Sequence, residues 1–339
     1  MKEEVRMALR AAAAWLAAVG FLAAPAGAPS SAEATAGRQE STDRQELRYA
    51  WTKGDTFPFV SRYALNVKLD KVPDVLQGFL SEEPANLKLE ATLDLEVKEV
   101  AEDGTALLEG RWKTLKAKGH LMVNDVDFDH DASKKAEGKP DPKPDAAPAD
   151  AFPGQFDVED QLRQAVAQPL KLRADRRGRL TVEGAGKSRD ALGWLFSSMN
   201  GLMGPLPAGK VGRGEKWKDE FRPQLPSAAA ALDVRSAVES SIEGEEKAGD
   251  ATLLSIVSKY TVGGSGEKKD PDPAGLAFKV KTSGGGEGKT LFDAKAGRLA
   301  KCRHTLNSRV EAEIPNPGGG EAIELKAAVK IEQSNEVGR

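Results

Sequence analysis

The chain has 339 residues, 30% of them charged, with 49 Lys and Arg against 52 Asp and Glu and a net charge of −3. That balance leaves no electrostatic footprint for nucleic acid or for an anionic membrane surface, and the length is ample for a large core. Cys302 is the only cysteine, so no intrachain disulfide can form, while 34 Gly, 19 Pro and 6% aromatics suit a loop-rich β protein.

In chain order, the first element is an export signal. Arg6 and Arg10 precede an unbroken apolar run from Ala11 to Ala24, which is followed by small residues. A basic n-region, a short h-region and an Ala-x-Ala-like site make a secretory signal peptide. The run is shorter than the ~20 residues a membrane-spanning helix needs. Ala32-Glu33-Ala34 before Thr35 suits cleavage better than Ala26-Gly27-Ala28, which places Pro29 after the cut. Translation starts at Met1 or at Met7, which avoids the acidic pair Glu3 and Glu4. Residues 1–34 are thus read as signal peptide and 35–46 as a flexible polar leader. No cysteine follows the apolar run closely, so the expected product is exported, periplasmic or extracellular, without a lipid anchor on cysteine.

From residue 47 onward the dominant signal is period-two alternation. Phe57, Phe59, Tyr63, Leu65, Val67 and Leu69 share one parity, and Leu87, Leu89, Ala91, Leu93, Leu95 and Val97 alternate with charged or polar neighbours. The same grammar recurs at 232–242, 254–262, 276–280, 299–314 and 323–331. One face of such strands packs and the other meets water, which antiparallel sheets allow and all-parallel sheets do not. The fold class is mainly β with a few helices: a large, strongly curved antiparallel sheet or half-barrel of about ten to twelve strands.

Glycine-bearing turns punctuate the runs at 53–55, 102–104, 176–178, 247–250 and 295–297. Gly54-Asp55-Thr56-Phe57 matches Gly214-Glu215-Lys216-Trp217, and Gly178-Arg179-Leu180 matches Gly297-Arg298-Leu299. The matches suggest one domain, 47–337, of two related halves, 47–183 and 205–337. A disordered, Lys/Pro/Asp/Ala-rich insertion at 132–150 interrupts the first half. Loops are expected at 263–275 and 315–320.

Helical spacing is confined to a few stretches. Val158, Leu162 and Val166 mark a helix over 157–167, and a short turn is expected over 72–80. Leu192, Leu195, Phe196, Met199, Leu202 and Met203 form one apolar stripe of a helix over 188–203 that links the halves. These helices are expected to cover the concave face of the sheet. The plain reading of the stripe is packing; the sharper one is a lid over an apolar cavity, with those six side chains lining a lipid-like ligand.

Other motifs carry little chemistry. Ser283-Gly284-Gly285-Gly286-Glu287-Gly288-Lys289-Thr290 looks like a phosphate loop but begins with serine and leads into a glycine turn instead of a helix, so it reads as a flexible glycine-rich hairpin. Asp125, Asp127, Asp129 and Asp131 lack the glycine and glutamate of a calcium loop and read as the acidic face of a strand. Cys302 and His304 share the inward parity of a strand, where a buried free cysteine is ordinarily inert. His120 and His130 show no zinc spacing, and no Gly-x-Ser-x-Gly occurs. No catalytic, cofactor or metal residues are therefore assigned.

The leader, the Gly-Asp-x-aromatic opening, the stretch Leu206-Pro207…Val211…Gly214-Glu215-x-Trp217 and the Gly297-Arg298-Leu299 hairpin resemble exported bacterial β-sheet proteins grouped as domains of unknown function, common in planctomycete-type genomes. In layout, though not in motif, the chain is also similar to the half-barrel with helical lid of bacterial lipoprotein carriers and lipid-binding lipoproteins. The implied function is that of a non-enzymatic envelope protein. Its partner would be a hydrophobic small molecule, or an envelope protein bearing a lipid, in the concave sheet. It would bind no nucleic acid and insert in no membrane once the signal is removed. The alternative is a structural or protein-interaction module with a solid core and no ligand.

Overall fold

The computed structural model describes residues 44–74, 81–121, 124–134, 158–182, 206–221, 232–268, 278–314 and 321–338. The signal peptide, most of the leader, most of the 132–150 insertion, the 315–320 loop and the 188–203 helix with its six stripe residues lie outside them. Twelve strands and one helix are described. The first half holds β1 (Thr56–Leu69), β2 (Ala85–Val100), β3 (Ala106–Leu121), β4 (Asn124–Asp131), α1 (Val158–Val166), β5 (Leu170–Ala174) and β6 (Leu180–Val182). The second holds β7 (Lys216–Phe221), β8 (Leu232–Ala248), β9 (Ala251–Lys268), β10 (Phe278–Asp293), β11 (Arg298–Ile314) and β12 (Ile323–Val337).

All twelve strands join one antiparallel sheet in the order β6-β5-β3-β2-β1-β12-β11-β10-β9-β8-β7, with β4 pairing β3 beside β5. This is the large curved sheet expected from the alternation. It is two meanders, β1-β2-β3-β5-β6 and β7 to β11, that β12 joins by pairing with both β1 and β11. Most strands run 14 to 18 residues, well beyond the usual ~5–6.

Alternation dictates the inner face directly. The burial of β12 runs without a break through Ile323, Leu325, Ala327, Val329, Ile331, Gln333 and Asn335. Phe59, Leu93, Leu108, Val310 and Leu325 on five strands are fully buried in one continuous core. Four register shifts interrupt the pairing. One residue too many on β3 at Lys113 puts both Trp112 and Leu115 inside, and a shift opposite Leu291 and Phe292 does the same for Leu299 and Cys302. The other two lie between Ile242 and Gly244 on β8 and between Val97 and Glu99 on β2. Each bulge coils the sheet further and re-aims the side chains beyond it.

Several boundaries differ from the sequence reading. The stretch 263–268, expected as loop, continues β9 because its backbone is paired with β10 throughout and, over 263–266, with β8 as well. Ser283–Thr290 is the middle of β10 and not a hairpin, bonded to β9 and β11 along its length. Ala132 donates to the Lys113 carbonyl at 2.8 Å, so the ordered chain extends past the expected start of the insertion. Helix α1, ending one residue before the expected 167, turns Val158, Leu162 and Ala165 inward and packs against β4 and β3. Its first-turn Glu159 pairs with Arg163 at 3.5 Å.

Candidate functional site

The two edges of the sheet, β6 and β7, meet at one end without a backbone ladder. Asp219 on β7 is 4% exposed and faces the β5–β6 turn. Arg177 donates to its carboxylate at 3.0 Å, and Arg179 donates to both oxygens at 2.7 and 2.9 Å. Asp175 holds that turn by accepting from the backbone N–H of Arg177 and Arg179. Arg177 also donates to the Leu206 carbonyl at 3.0 Å. Burial lowers the Arg177 pKa, with Asp219 opposing. Charge-assisted pairs of this kind are the strong ones, and here they close a seam that hydrogen-bonded strands leave open.

The same end is crossed by residues 44–51. Gln45 and Val211 exchange backbone hydrogen bonds, Tyr49 donates to the Arg176 carbonyl and Ala50 to that of Gly297. Residues 44–46, read as leader, therefore already belong to the fold. The strap carries Leu47 and Tyr49 into the interior, where Tyr49 stacks on Trp51 at 5.6 Å and meets the Phe292 ring edge-on at 5.2 Å. One end of the curled sheet is thus stoppered by its own aromatic side chains.

Above the stopper a polar belt crosses the inner wall from β8 to β1. In register across the strands lie Ser240, Ser258, Gly288, His304, Gln333 and Tyr63. The next row carries Thr290, Cys302, Asn335 and Ser61. Ser240 and Ser258 share a hydrogen bond of 2.8 Å, and Tyr260 Oη lies 2.8 Å from His304 Nδ1 with the two rings edge to face. That bond passes over Gly288, where any Cβ would strike the His304 ring and the Tyr260 ring. Asn335 donates to Cys302 Sγ at 3.4 Å.

The belt is uncharged at neutral pH. Burial pulls the His304 pKa down to about 4 and pushes the Cys302 thiol up to about 12. Burial likewise raises Tyr260 and Tyr63. Cys302 and His304 are both buried on the inner face, as their parity predicts, yet their hydrogen bonds run to Asn335 and Tyr260. A thiol held protonated is no nucleophile. Among the described residues no group of three or more His, Cys, Asp or Glu converges as metal ligands, and Asp125, Asp127 and Asp129 lie on the exposed side of β4. Ser283–Thr290 offers no helix N-terminus to a phosphate.

Sequence alternation alone left Tyr260, Ser240, Ser258, Thr282 and Ser308 unremarked. The signal that could have found them is the placement of hydroxyls at the parity otherwise reserved for Val, Ile and Leu. Asp219 could not be found in that way, because its partners lie 40 and 42 residues upstream.

No family model matches the chain, and no curated protein matches it. Among solved structures it is similar to a loop L8 deletion mutant of OmpT, an outer membrane protein of Vibrio cholerae, at 10% identity over 85% of this chain and 100% of that one, with a TM-score of 0.19. It is also similar to an outer membrane channel from Pseudomonas putida F1 (9% identity, 86% and 97% covered, TM-score 0.17) and to a mutant Rh. blastica porin (7%, 84% and 99%, 0.19). Likeness at these TM-scores carries no argument. The side chains of this chain do: membrane-spanning barrels turn an apolar band outward and polar groups inward. Here Arg62, Lys68, Lys88, Glu90, Lys116, Lys118, Lys326 and Lys330 face outward and exposed, while the buried inner face is mostly Leu, Val, Ile, Phe and Ala.

Proposed function

We propose that this is a non-enzymatic, exported envelope protein that holds an apolar, uncharged ligand, or the acyl part of a lipid-bearing partner, against its inner wall. One observation carries the reading. Eleven strands paired in one path bring β6 and β7 together at the Asp219 cluster, and the inner face is mostly apolar. A barrel of about eight strands is just filled by its own side chains or holds one small ligand. Apart from Asp219, no charged side chain is buried among the described residues, so no fixed charge on that wall opposes an acyl chain.

The charged outer face supports a protein bathed in water, since an exposed Arg or Lys at a bilayer midplane costs roughly 2–4 kcal/mol. The protonated thiol of Cys302 and the neutral His304 support binding in preference to covalent chemistry. A second reading, a solid interaction module, is favoured by the near-complete burial of the β1–β3 wall, where Phe59, Leu93 and Leu108 show no exposed surface.

Native mass spectrometry together with displacement of a fluorescent acyl probe separates the two. The ligand-binding reading expects uptake of one or two acyl chains per chain and a matching mass increase. Absence of uptake for both charged and uncharged acyl probes, with unchanged mass, would falsify it and leave the solid module.

A further inference from the structure

Among the described strands, every border along the sheet is a backbone ladder except the one between β6 and β7. A ladder parts only when a row of backbone hydrogen bonds breaks together, whereas this border is spanned at separate points. One bank is the β5–β6 turn, with Arg176, Arg177 and Arg179. The other is the segment from Leu206 into β7, with Val211 and Asp219. Asp219, bonded to Arg177 and Arg179, is a side-chain staple across the gap. Beside it, Leu206 N–H donates to the Arg177 carbonyl at 3.1 Å.

The strap at 44–51 supplies a second staple, because its hydrogen bonds land on both banks. On the β7 side Gln45 and Val211 exchange bonds of 3.0 and 2.9 Å, and Arg44 pairs with Glu215 at 3.1 Å. Four residues further on, Tyr49 N–H reaches the Arg176 carbonyl at 2.8 Å on the β6 side. Leu47, between the two anchors, is buried, as is Leu206 on the β7 bank. Past the seam the strap lies on Gly297, where φ is +62° and any Cβ would strike Ala50. The seat is therefore shaped to the strap, and residues from four separate parts of the chain build it.

Two staples over one gap act together. Whichever forms first holds the banks in place, and the second then closes as an intramolecular contact at high effective concentration. Loss of either leaves the other to hold the gap alone, so the two are coupled through the banks without touching. We infer that the strap and the Asp219 cluster are the two parts of one latch, and that the sheet opens along the β6–β7 border as a unit while its ladders stay intact. The latch stands independently of the ligand-binding reading.

Native-state hydrogen exchange of the full chain at a series of low urea concentrations reads the opening directly. The amides of Gln45, Tyr49, Leu206 and Val211 are expected to share one opening free energy, lower than that of the β12 amides and with a shallower dependence on urea. Asp219→Asn, which keeps the shape of the side chain, is expected to speed exchange at Gln45 and Tyr49 by the same factor as at Leu206, roughly tenfold or more. Leu47→Ala on the strap is expected to speed exchange at Leu206 by the same factor as at Tyr49, with the β12 amides unchanged. Gln45→Pro, which removes one backbone donor at an exposed position, repeats the strap measurement if Leu47→Ala does not fold. Effects confined to the staple that carries the substitution overturn the latch and leave two separate contacts. Exchange of the seam amides at the β12 rate overturns opening as a unit, because the seam then parts only when the whole sheet unfolds.

Discussion

Replacing Asp219 by alanine removes the only side chain among the described residues that bonds the β5–β6 turn to β7. The carboxylate accepts three hydrogen bonds, at 3.0, 2.7 and 2.9 Å, from two arginines that are each about a fifth exposed (20% and 19%). Hydrogen bonds to charged groups are worth roughly 1.5–3 kcal/mol each, and removing one partner of a buried ion pair leaves the other charge uncompensated, at a cost of about 3–5 kcal/mol. Access of water to the arginines places the expected loss near the lower figure, about 3 kcal/mol, still a large fraction of an ordinary stability of ~5–15 kcal/mol. Urea unfolding of Asp219→Ala against the unaltered chain measures the total. Hydrogen exchange locates it: amides of Lys216–Phe221, of the 175–178 turn and of the Gln45–Val211 bridge are expected to lose protection, while those of β1, β2 and β12 keep theirs. A midpoint change equivalent to less than about 1 kcal/mol, the range of a surface ion pair, would refute the claim that this cluster closes the seam. So would a loss of protection spread evenly over the sheet.

His304 gives a pH dependence of definite sign. Its pKa falls to about 4 on folding, against ~6.5 in an unfolded chain, so between those values only the unfolded state binds the proton. Stability from this group is complete above about pH 6.5 and declines by ~3 kcal/mol as the pH falls to 4. His304→Gln should flatten the urea midpoint over that interval by a corresponding amount, and equal slopes in the two proteins would contradict the assignment. Cys302, with its thiol raised to about 12 and fully buried, should resist a thiol-specific alkylating reagent at pH 8 and react only on unfolding. Labelling within minutes in native buffer would show that the inner wall is open to water at that point.

Much of the fold is legible in the chain because a strand repeats every two residues. The parity of Phe57 to Leu69 or of Ile323 to Ile331 states which side is inside without reference to any partner. The inward position of Cys302 and His304 could be read in the same way. β3 escapes such a reading. Its bulge at Lys113 switches the inward set from Ala106, Leu108 and Trp112 to Leu115 and Ala117, so no single parity describes it. The glycine run of β10 misleads in the opposite direction. Gly284, Gly286 and Gly288 look like a phosphate loop or a flexible hairpin until the close approach of β11 shows why no side chain fits.

What the sequence determined by itself is therefore local and periodic: β-strands of unusual length, an antiparallel sheet with one apolar face, and an outer surface of mixed charge. These follow from side-chain chemistry repeated along a short segment. Tertiary structure alone decided the closure of the seam by Asp219, the strap at 44–51 across one end, and the meeting of Tyr260 with His304. Each depends on residues 40 or more positions apart, brought together by the register of neighbouring strands and by bulges that shift it. Alternation states that a residue faces inward; only the pairing of strands states what it faces.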